Sequence, residues 1–269
     1  MSDEYVLGTT DEEIERLALQ HRVWRPWASR AWEKAQVSTG QRILDVGAGP
    51  GMATVDLAQI VGPMGRVTAL ELSAKFVEFG RVRCSHFGLD NVDFLQHDLS
   101  SDTELPLHQD LAWCRWVLSF VADPELVVAK LAGSLRTGGR LVIHEYLVYS
   151  TWRFMPPLPH QDRFMRMTEE NWKSAGGDPD VGLRLPAMLS KAGLRVKSIE
   201  PILFAICPKD YAWNWPVKWV ESSGKRLVED GALSSAELES TLSEFTQIAA
   251  DPNFRMLSPS VVEIIAEKS

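Results

Sequence analysis

Between residues 42 and 146 short apolar runs alternate with stretches of helical periodicity, and this rhythm narrows the folds open to the chain more than any other feature. The apolar runs are Arg42–Val46, Arg66–Leu70, Val92–Gln96, Leu111–Val117 and Arg140–Tyr146, and the helical stretches among them are Met52–Ile60, Ser73–Phe87 and Pro124–Leu135. Strands separated by helices cannot pair as tight hairpins, so they run parallel through crossovers, and continuously apolar strands are buried on both faces. The expectation is an α/β fold built on a doubly wound, mostly parallel sheet.

The flanks add to this frame. Residues 11–36 carry apolar positions at helical spacing, first Ile14, Leu17 and Ala18, then Trp24, Trp27, Ala28 and Ala31, so one or two helices precede the first strand and Pro26 is expected to break them. After Tyr146 the rhythm stops, and residues 148–180, rich in Pro, Met, Trp and charge, read as an inserted helical cap. A helix over Pro186–Ala192 and a long strand over Leu194–Ile206 follow; residues 209–250 look helical again around a Trp cluster, and Ser260–Glu267 offers a last strand. The strand count comes to seven. One domain over residues 1–269 is expected, with N-terminal helices in 1–36 and helical cap insertions at 148–180 and 209–250.

Composition sets limits on partners. A chain of 269 residues can hold one full α/β core with segments to spare. The formal net charge of -8 disfavours a nucleic-acid partner, because neutralising phosphates needs a dense Lys/Arg surface. Cys84, Cys114 and Cys207 form no CxxC pair and suggest neither a disulfide framework nor a zinc site. No stretch of about eighteen consecutive apolar residues occurs, and the acidic Met1-Ser2-Asp3-Glu4 opens no basic-then-apolar leader. The expectation is a cytoplasmic protein with no membrane partner, working as a monomer or homodimer.

Within the rhythm, the turn from the first strand into the first crossover helix reads Asp45-Val46-Gly47-Ala48-Gly49-Pro50-Gly51. Glycines there allow tight backbone angles and close approach of a ligand, while the helix N-terminus presents N–H groups that no helical carbonyl uses. A dinucleotide fingerprint needs GxGxxG, but the last position of that frame is Met52, and an Asp stands two residues before the first glycine. Twenty residues beyond Gly51, Glu71 ends the second strand, where a carboxylate can accept hydrogen bonds from both hydroxyls of a ribose. That feature is common to nucleotide and S-adenosylmethionine (SAM) sites and separates neither.

The stretch Ile43-Leu44-Asp45-Val46-Gly47-Ala48-Gly49-Pro50-Gly51 resembles the first motif of the class I SAM-dependent methyltransferases, a hydrophobic strand followed by DxGxGxG. The resemblance continues through Asp110–Phe120, Asp123-Pro124-Glu125 and Leu135–Ile143, where Thr137 stands in place of a usual proline, and it spans about residues 36–147. It implies a Rossmann-like fold and SAM as cofactor. Gly47, Ala48, Gly49 and Gly51 would lie against the amino-acid and ribose parts of SAM, Asp45 would organise the methionine end, and Glu71 would take the ribose. Leu72 would pack on the adenine face, Asp98 would receive the exocyclic amine, the backbone N–H of Leu99 would meet a ring nitrogen, and Arg115 would lie near the methionine portion, mainly through its backbone. Upstream, Glu15-Arg16-Leu17-Ala18-Leu19-Gln20 resembles the leader of the ubiquinone/menaquinone-type subgroup, which implies that Gln20 reaches SAM.

Methyl transfer from a sulfonium is an in-line displacement that requires alignment and exclusion of water; an amine or carbanion acceptor needs no strong base, whereas a hydroxyl needs one or a metal. Candidate bases are His144 and Glu145, at the end of the fifth strand, and His160 in the first cap segment; no metal-ligand cluster of suitable spacing is visible. The aromatic and Met residues of the two caps, Trp152, Phe154, Trp213, Trp215, Trp219, Met155, Met165 and Met167, suit either a pocket wall or an ordinary core. The leading expectation is a transferase acting on a small-molecule methyl acceptor. A macromolecular acceptor, a SAM-fold protein doing cyclisation or isomerisation, a non-catalytic SAM binder and a nucleotide-dependent reductase remain the alternatives, the last disfavoured by Met52.

Overall fold

The computed structural model describes residues 10–269, so residues 1–9 of the expected N-terminal segment lie outside the described residues. Helix α1 (Asp11–Lys34) starts at Thr10, whose side-chain oxygen accepts from Glu13 N, with Asp11, Glu12 and Glu13 in the first turn where the helix dipole favours acids. It runs unbroken through Pro26, a correction to the expected break. Pro26 and Arg22, the residue whose carbonyl loses its helical partner, both face solvent, while Trp24, Ala28, Ala31 and Trp32 are buried and hold the helix down.

The expected alternation follows as β1 (Arg42–Val46), α2 (Met52–Val61), β2 (Arg66–Glu71), α3 (Ala74–His86), β3 (Val92–Gln96), β4 (Gln109–Arg115), α4 (Pro124–Ser134) and β5 (Leu135–Val148). Strand β5 begins earlier than its apolar run because Leu135 already pairs with Gln109. The chain continues with β6 (Arg153–Met155), α5 (Pro159–Ser174), α6 (Leu185–Lys191), β7 (Leu194–Ile202), β8 (Ala205–Ile206), α7 (Asn214–Glu229), α8 (Ser235–Ile248), β9 (Arg255–Leu257) and β10 (Ser260–Lys268).

Seven strands form one sheet in the order β3-β2-β1-β4-β5-β10-β7, with β10 antiparallel to both its neighbours and the rest parallel. The long strand expected over residues 194–206 is two strands: β7 ends the main sheet, and β8 joins β6 and β9 in a second, three-stranded sheet in the order β6-β9-β8. Period-2 alternation sorts the main sheet's side chains. Leu44, Ala112, Leu141, Ile143 and Ile264 pack under α4 and α6, while Ile43, Leu111, Trp113, Val142 and Ile265 pack against α1 and α2. A third cluster, rich in aromatic rings, joins the first half of α1 to α5, α7, α8 and the small sheet, over the carboxyl ends of β4 and β5.

Candidate active site

The glycine turn leaves β1 at the centre of the sheet. Gly47, Gly49 and Gly51 all have positive φ (62°, 56° and 79°), which only glycine adopts without strain. The surroundings differ: a Cβ on Gly47 would stand 2.4 Å from Val117 Cγ2 and one on Gly51 2.7 Å from the Phe94 ring, whereas one on Gly49 would meet nothing within 4 Å. Two glycines are needed for packing, and the middle one faces open space. Gly51 caps α2 without a side-chain acceptor, so the first-turn N–H groups are left for something else. Beneath the turn, the buried Asp45 carboxylate accepts from Thr54 Oγ1 at 2.6 Å, and burial pushes its pKa up to about 6 against the opposing pull of Thr54 and Arg115.

Glu71, at the end of β2, ties this turn to the next. Its Oε2 accepts from Gly49 N and its Oε1 from Ser73 N, each at 2.8 Å, and burial raises its pKa while those N–H groups pull it down. Leu72 beside it is half-buried. Asp98 is exposed past β3; Ser100 N and Oγ both donate to its Oδ1, and Leu99 is buried. Ala48 N donates to Leu70 O, which fixes the turn to the end of β2.

On the other side of β1, β4 ends in a strained turn. Trp116 has φ +53°, unusual for a bulky residue, and Glu145 holds it there: Val117 N and Leu118 N both donate to Glu145 Oε1, at 2.5 and 2.6 Å. Burial drives the Glu145 carboxyl up to about 7 despite those two donors. His144, fully buried, lies against Glu263 through Nε2 at 3.1 Å and against the Trp113 ring, and burial lowers its pKa. The two candidate bases at the end of the fifth strand are therefore fully buried, and neither lines the aromatic pocket that Trp116 borders.

Above that turn lies an aromatic pocket of about 120 Å³, walled by Trp116, Phe120, Tyr146, Tyr149, Trp172 and Trp219, with Arg16, Gln20, Thr168, Asn171, Ser223 and Arg226 as its polar lining. Gln20 is oriented by its neighbours. Its Oε1 accepts from Arg16 Nη1 at 2.8 Å and Trp215 Nε1 at 3.3 Å, so the amide oxygen is engaged and the nitrogen is the group's remaining donor. Ser223 Oγ and Trp116 Nε1, both pocket residues, are buried without a hydrogen-bond partner. His160 is elsewhere: it is exposed in the first turn of α5, whose His160 and Gln161 N–H groups are docked on Glu244 of α8, and it faces a separate cavity with Glu239, Ser243 and Gln247. The helix start that sequence reading could not place carries it away from the pocket.

Residues 38–186 match the methyltransferase-domain family, more than half of the chain. The chain belongs to that family. A ubiquinone/menaquinone biosynthesis C-methyltransferase of Pseudomonas savastanoi is 32% identical over 127 residues, covering 47% of this chain and 48% of that protein. The chain thus spans about half the length of the curated relatives of this kind. An uncharacterized 37.1 kDa protein from a transposon of Streptomyces fradiae is 28% identical over 241 residues, 88% of this chain and 66% of that one. In fold, the chain is similar to geranyl diphosphate C-methyltransferase of Streptomyces coelicolor (TM-score 0.57, 16% identity, 93% of this chain and 82% of that one). It is equally similar to the (4+2)-cyclase SpnF (TM-score 0.58, 17% identity, 90% and 80%).

The residues present fit SAM, the cofactor that the sequence resemblance implies: open space over Gly49, a helix N-terminus at Gly51 without a side-chain cap, and a buried, unpartnered Nη1 on Arg115 near the glycine turn. Sequence reading missed most of the pocket. Trp116, Tyr146, Trp172 and Ser223 come from four separate segments, and only the Arg16–Gln20 pair, one helical turn apart, left a local signal. It also missed His21, which joins Arg115 to Asp56. Among the described residues, no group of three or more His, Cys, Asp or Glu could hold a metal ion, and no helix is long and apolar enough to cross a membrane.

Proposed function

We propose that this methyltransferase transfers the SAM methyl group to a small organic acceptor held in the aromatic pocket, giving S-adenosylhomocysteine (SAH). The observation that carries the reading is the contact between turn and pocket: a Cβ on Gly47 would stand 2.4 Å from Val117, and the neighbouring Trp116 lines the pocket. A methyl group on a cofactor lying along Gly47, Ala48, Gly49 and Gly51 then reaches the pocket mouth. In this reading Glu71 takes the ribose hydroxyls and Leu72 and Leu99 border the adenine. Asp98 receives the adenine amine on Oδ2, since Ser100 uses only Oδ1. Gln20 points its amide towards the methyl end.

The pocket's size and chemistry bear on the acceptor. About 120 Å³ is close to the ~150 Å³ of an apolar cavity that takes benzene, so one ring or a short branched chain fits. The polar lining combines the cationic donors of Arg16 and Arg226 with the amides and hydroxyls of Gln20, Asn171, Thr168 and Ser223, and no carboxylate or imidazole is among the lining residues. With neither group at hand, and with burial pushing the Tyr149 phenol away from ionisation, the pocket favours a carbon or nitrogen nucleophile, or an oxygen that arrives ionised. Incubating the protein with methyl-labelled SAM and a cell extract, then separating products by size, tests this. Label in small molecules is expected; label in macromolecules, or in no product, overturns it.

A further inference from the structure

Arg115 is the last residue of β4, level with the start of the glycine turn, because β4 pairs with β1 as far as Cys114 and Val46. It follows the alternation of Trp113, which packs against Trp32 of α1 with ring centroids 5.3 Å apart, so its side chain extends beneath α1. There the guanidinium carbon lies 5.8 Å from the Trp113 ring and 5.2 Å from the Trp116 ring. Nη2 donates to His21 Nδ1 at 3.0 Å, His21 Nε2 meets Asp56 Oδ2 at 3.0 Å, and Arg25 holds the same Asp56 with two bonds of 2.7 and 3.0 Å. Nη1 is buried and has no partner.

The chain of bonds has one consistent protonation. To accept from a guanidinium, His21 Nδ1 must carry a lone pair, which leaves the proton on Nε2, where Asp56 receives it. Burial lowers the pKa of His21 and so favours this neutral form. Arg115 itself is pulled down by burial to about 10 and remains a cation at neutral pH. Asp45 and Asp56 are near enough to act on it electrostatically, yet Asp45 is bonded to Thr54, and Asp56 to His21 and Arg25. Nη1 is thus a cationic donor buried near the start of the glycine turn with no hydrogen-bond partner, a loss that an anionic acceptor would make good. SAM carries one anionic group, the carboxylate of its methionine portion; the adenosine portion has none.

We infer that the Arg115 guanidinium grips the SAM carboxylate through Nη1, and that His21 and Asp56 are positioning residues that aim it. This rests on SAM occupying the glycine turn. It replaces a backbone role for Arg115 with a side-chain one, and it explains why a helix outside the nucleotide-binding motif is locked to the end of β4. Discrimination follows: a ligand without the carboxylate gains nothing from Arg115.

Calorimetric titration with SAH and with 5′-methylthioadenosine, which has the same adenosine and thioether but no amino-acid portion, tests the clamp. In Arg115→Met, SAH affinity is expected to fall about ten- to a hundredfold while methylthioadenosine affinity stays within about threefold of wild type. In Arg115→Lys, with the charge but not the fork, the loss for SAH is intermediate, and in His21→Ala it is smaller than in Arg115→Met, again with methylthioadenosine unaffected. Binding of methylthioadenosine also reports that each variant is folded. Equal weakening of both ligands, or unchanged SAH affinity in Arg115→Met, overturns the clamp. Absence of SAH binding to the wild-type protein overturns the cofactor placement and the clamp together.

Discussion

The cluster packed under the sheet by α4 and α6 contains no aromatic side chain, whereas eleven of the twenty-one buried residues in the cluster over the carboxyl ends of β4 and β5 are Trp, Tyr or Phe. Aliphatic side chains from strand positions of fixed parity interlock into a layer whose only task is to hold the sheet. Aromatic rings fill the same volume with fewer residues, and their edges carry N–H and O–H groups that need partners. In the proposed function the sheet's edge presents backbone and glycine to a cofactor of constant shape, and the aromatic region, whose pocket holds Ser223 Oγ and Trp116 Nε1 without partners, takes the acceptor. The two regions meet at one turn, where Glu145 holds Trp116 and Val117 above the sheet.

Trp152 tests whether the regions are energetically separate. It is buried, with ring centroids 5.5 Å from Trp215 and 4.9 Å from Trp219. Trp152→Ala is expected to destabilise the fold by about 3–5 kcal/mol and lower the melting temperature by about 10 °C. SAH affinity, measured well below the transition, stays within about threefold of wild type. A parallel loss of SAH affinity shows that the aromatic cluster also builds the cofactor site.

The glycine turn sharpens the comparison from the other side. Gly47→Ala drives a Cβ into Val117 on a backbone of φ +62°, so SAH affinity falls by about a hundredfold and the pocket mouth shifts with it. Gly49→Ala meets no protein atom within 4 Å, so its effect on the ligand-free protein is limited to about 1–2 kcal/mol of backbone strain, while SAH affinity still falls because the new methyl occupies ligand space. Melting curves with and without SAH separate the two. Equal behaviour of both variants contradicts the assignment of Gly49 to the ligand side.

Glu145 predicts a change in stability alone, and one that depends on pH. Its carboxyl, raised from 4.5 to about 7 by burial, keeps a proton in the folded protein that the unfolded chain has released, so its contribution to stability is fully present below pH 4.5 and lost as pH rises through 7. In Glu145→Gln one amide oxygen still accepts from Val117 and Leu118, and no titration remains. Relative to wild type, the variant therefore gains about 1–3 kcal/mol between pH 5 and pH 8 in urea unfolding. A constant difference across that range removes Glu145 as the titrating group beneath Trp116.

How much of this was visible in the sequence follows the same division. The strands from Arg42 to Tyr146 announced themselves because a buried parallel strand is a local pattern, and the glycine turn and Glu71 because their spacing is set by one strand, one turn and one helix. Strands β6, β8 and β9 span only two or three residues each, too short for any periodicity, and they exist through pairing with one another. The continuity of α1 through Pro26 depended on burial of Trp24 and Trp32 against distant segments. The positive φ of Trp116 depends on Glu145 on another strand, and the pocket's donors on four segments meeting, so neither had a local signature. His144 and Glu145 were candidate bases by their place at the end of the fifth strand, but that strand lies between two neighbours and under the aromatic cluster, which leaves both fully buried.

The most direct test of the cofactor placement is a calorimetric comparison of SAH with its 2′-deoxyribose analogue on wild-type protein and on Glu71→Ala. Glu71 also ties Gly49 and Ser73, so the variant alone conflates loop order with ribose binding. The ligand pair separates them. If Glu71 receives the ribose, wild type binds SAH about tenfold or more tightly than the deoxy analogue, each hydrogen bond to a carboxylate contributing about 1.5–3 kcal/mol, and this preference disappears in Glu71→Ala. Equal affinity of wild type for the two ligands, or a preference that survives in the variant, contradicts the placement of the cofactor along the glycine turn with its ribose on Glu71.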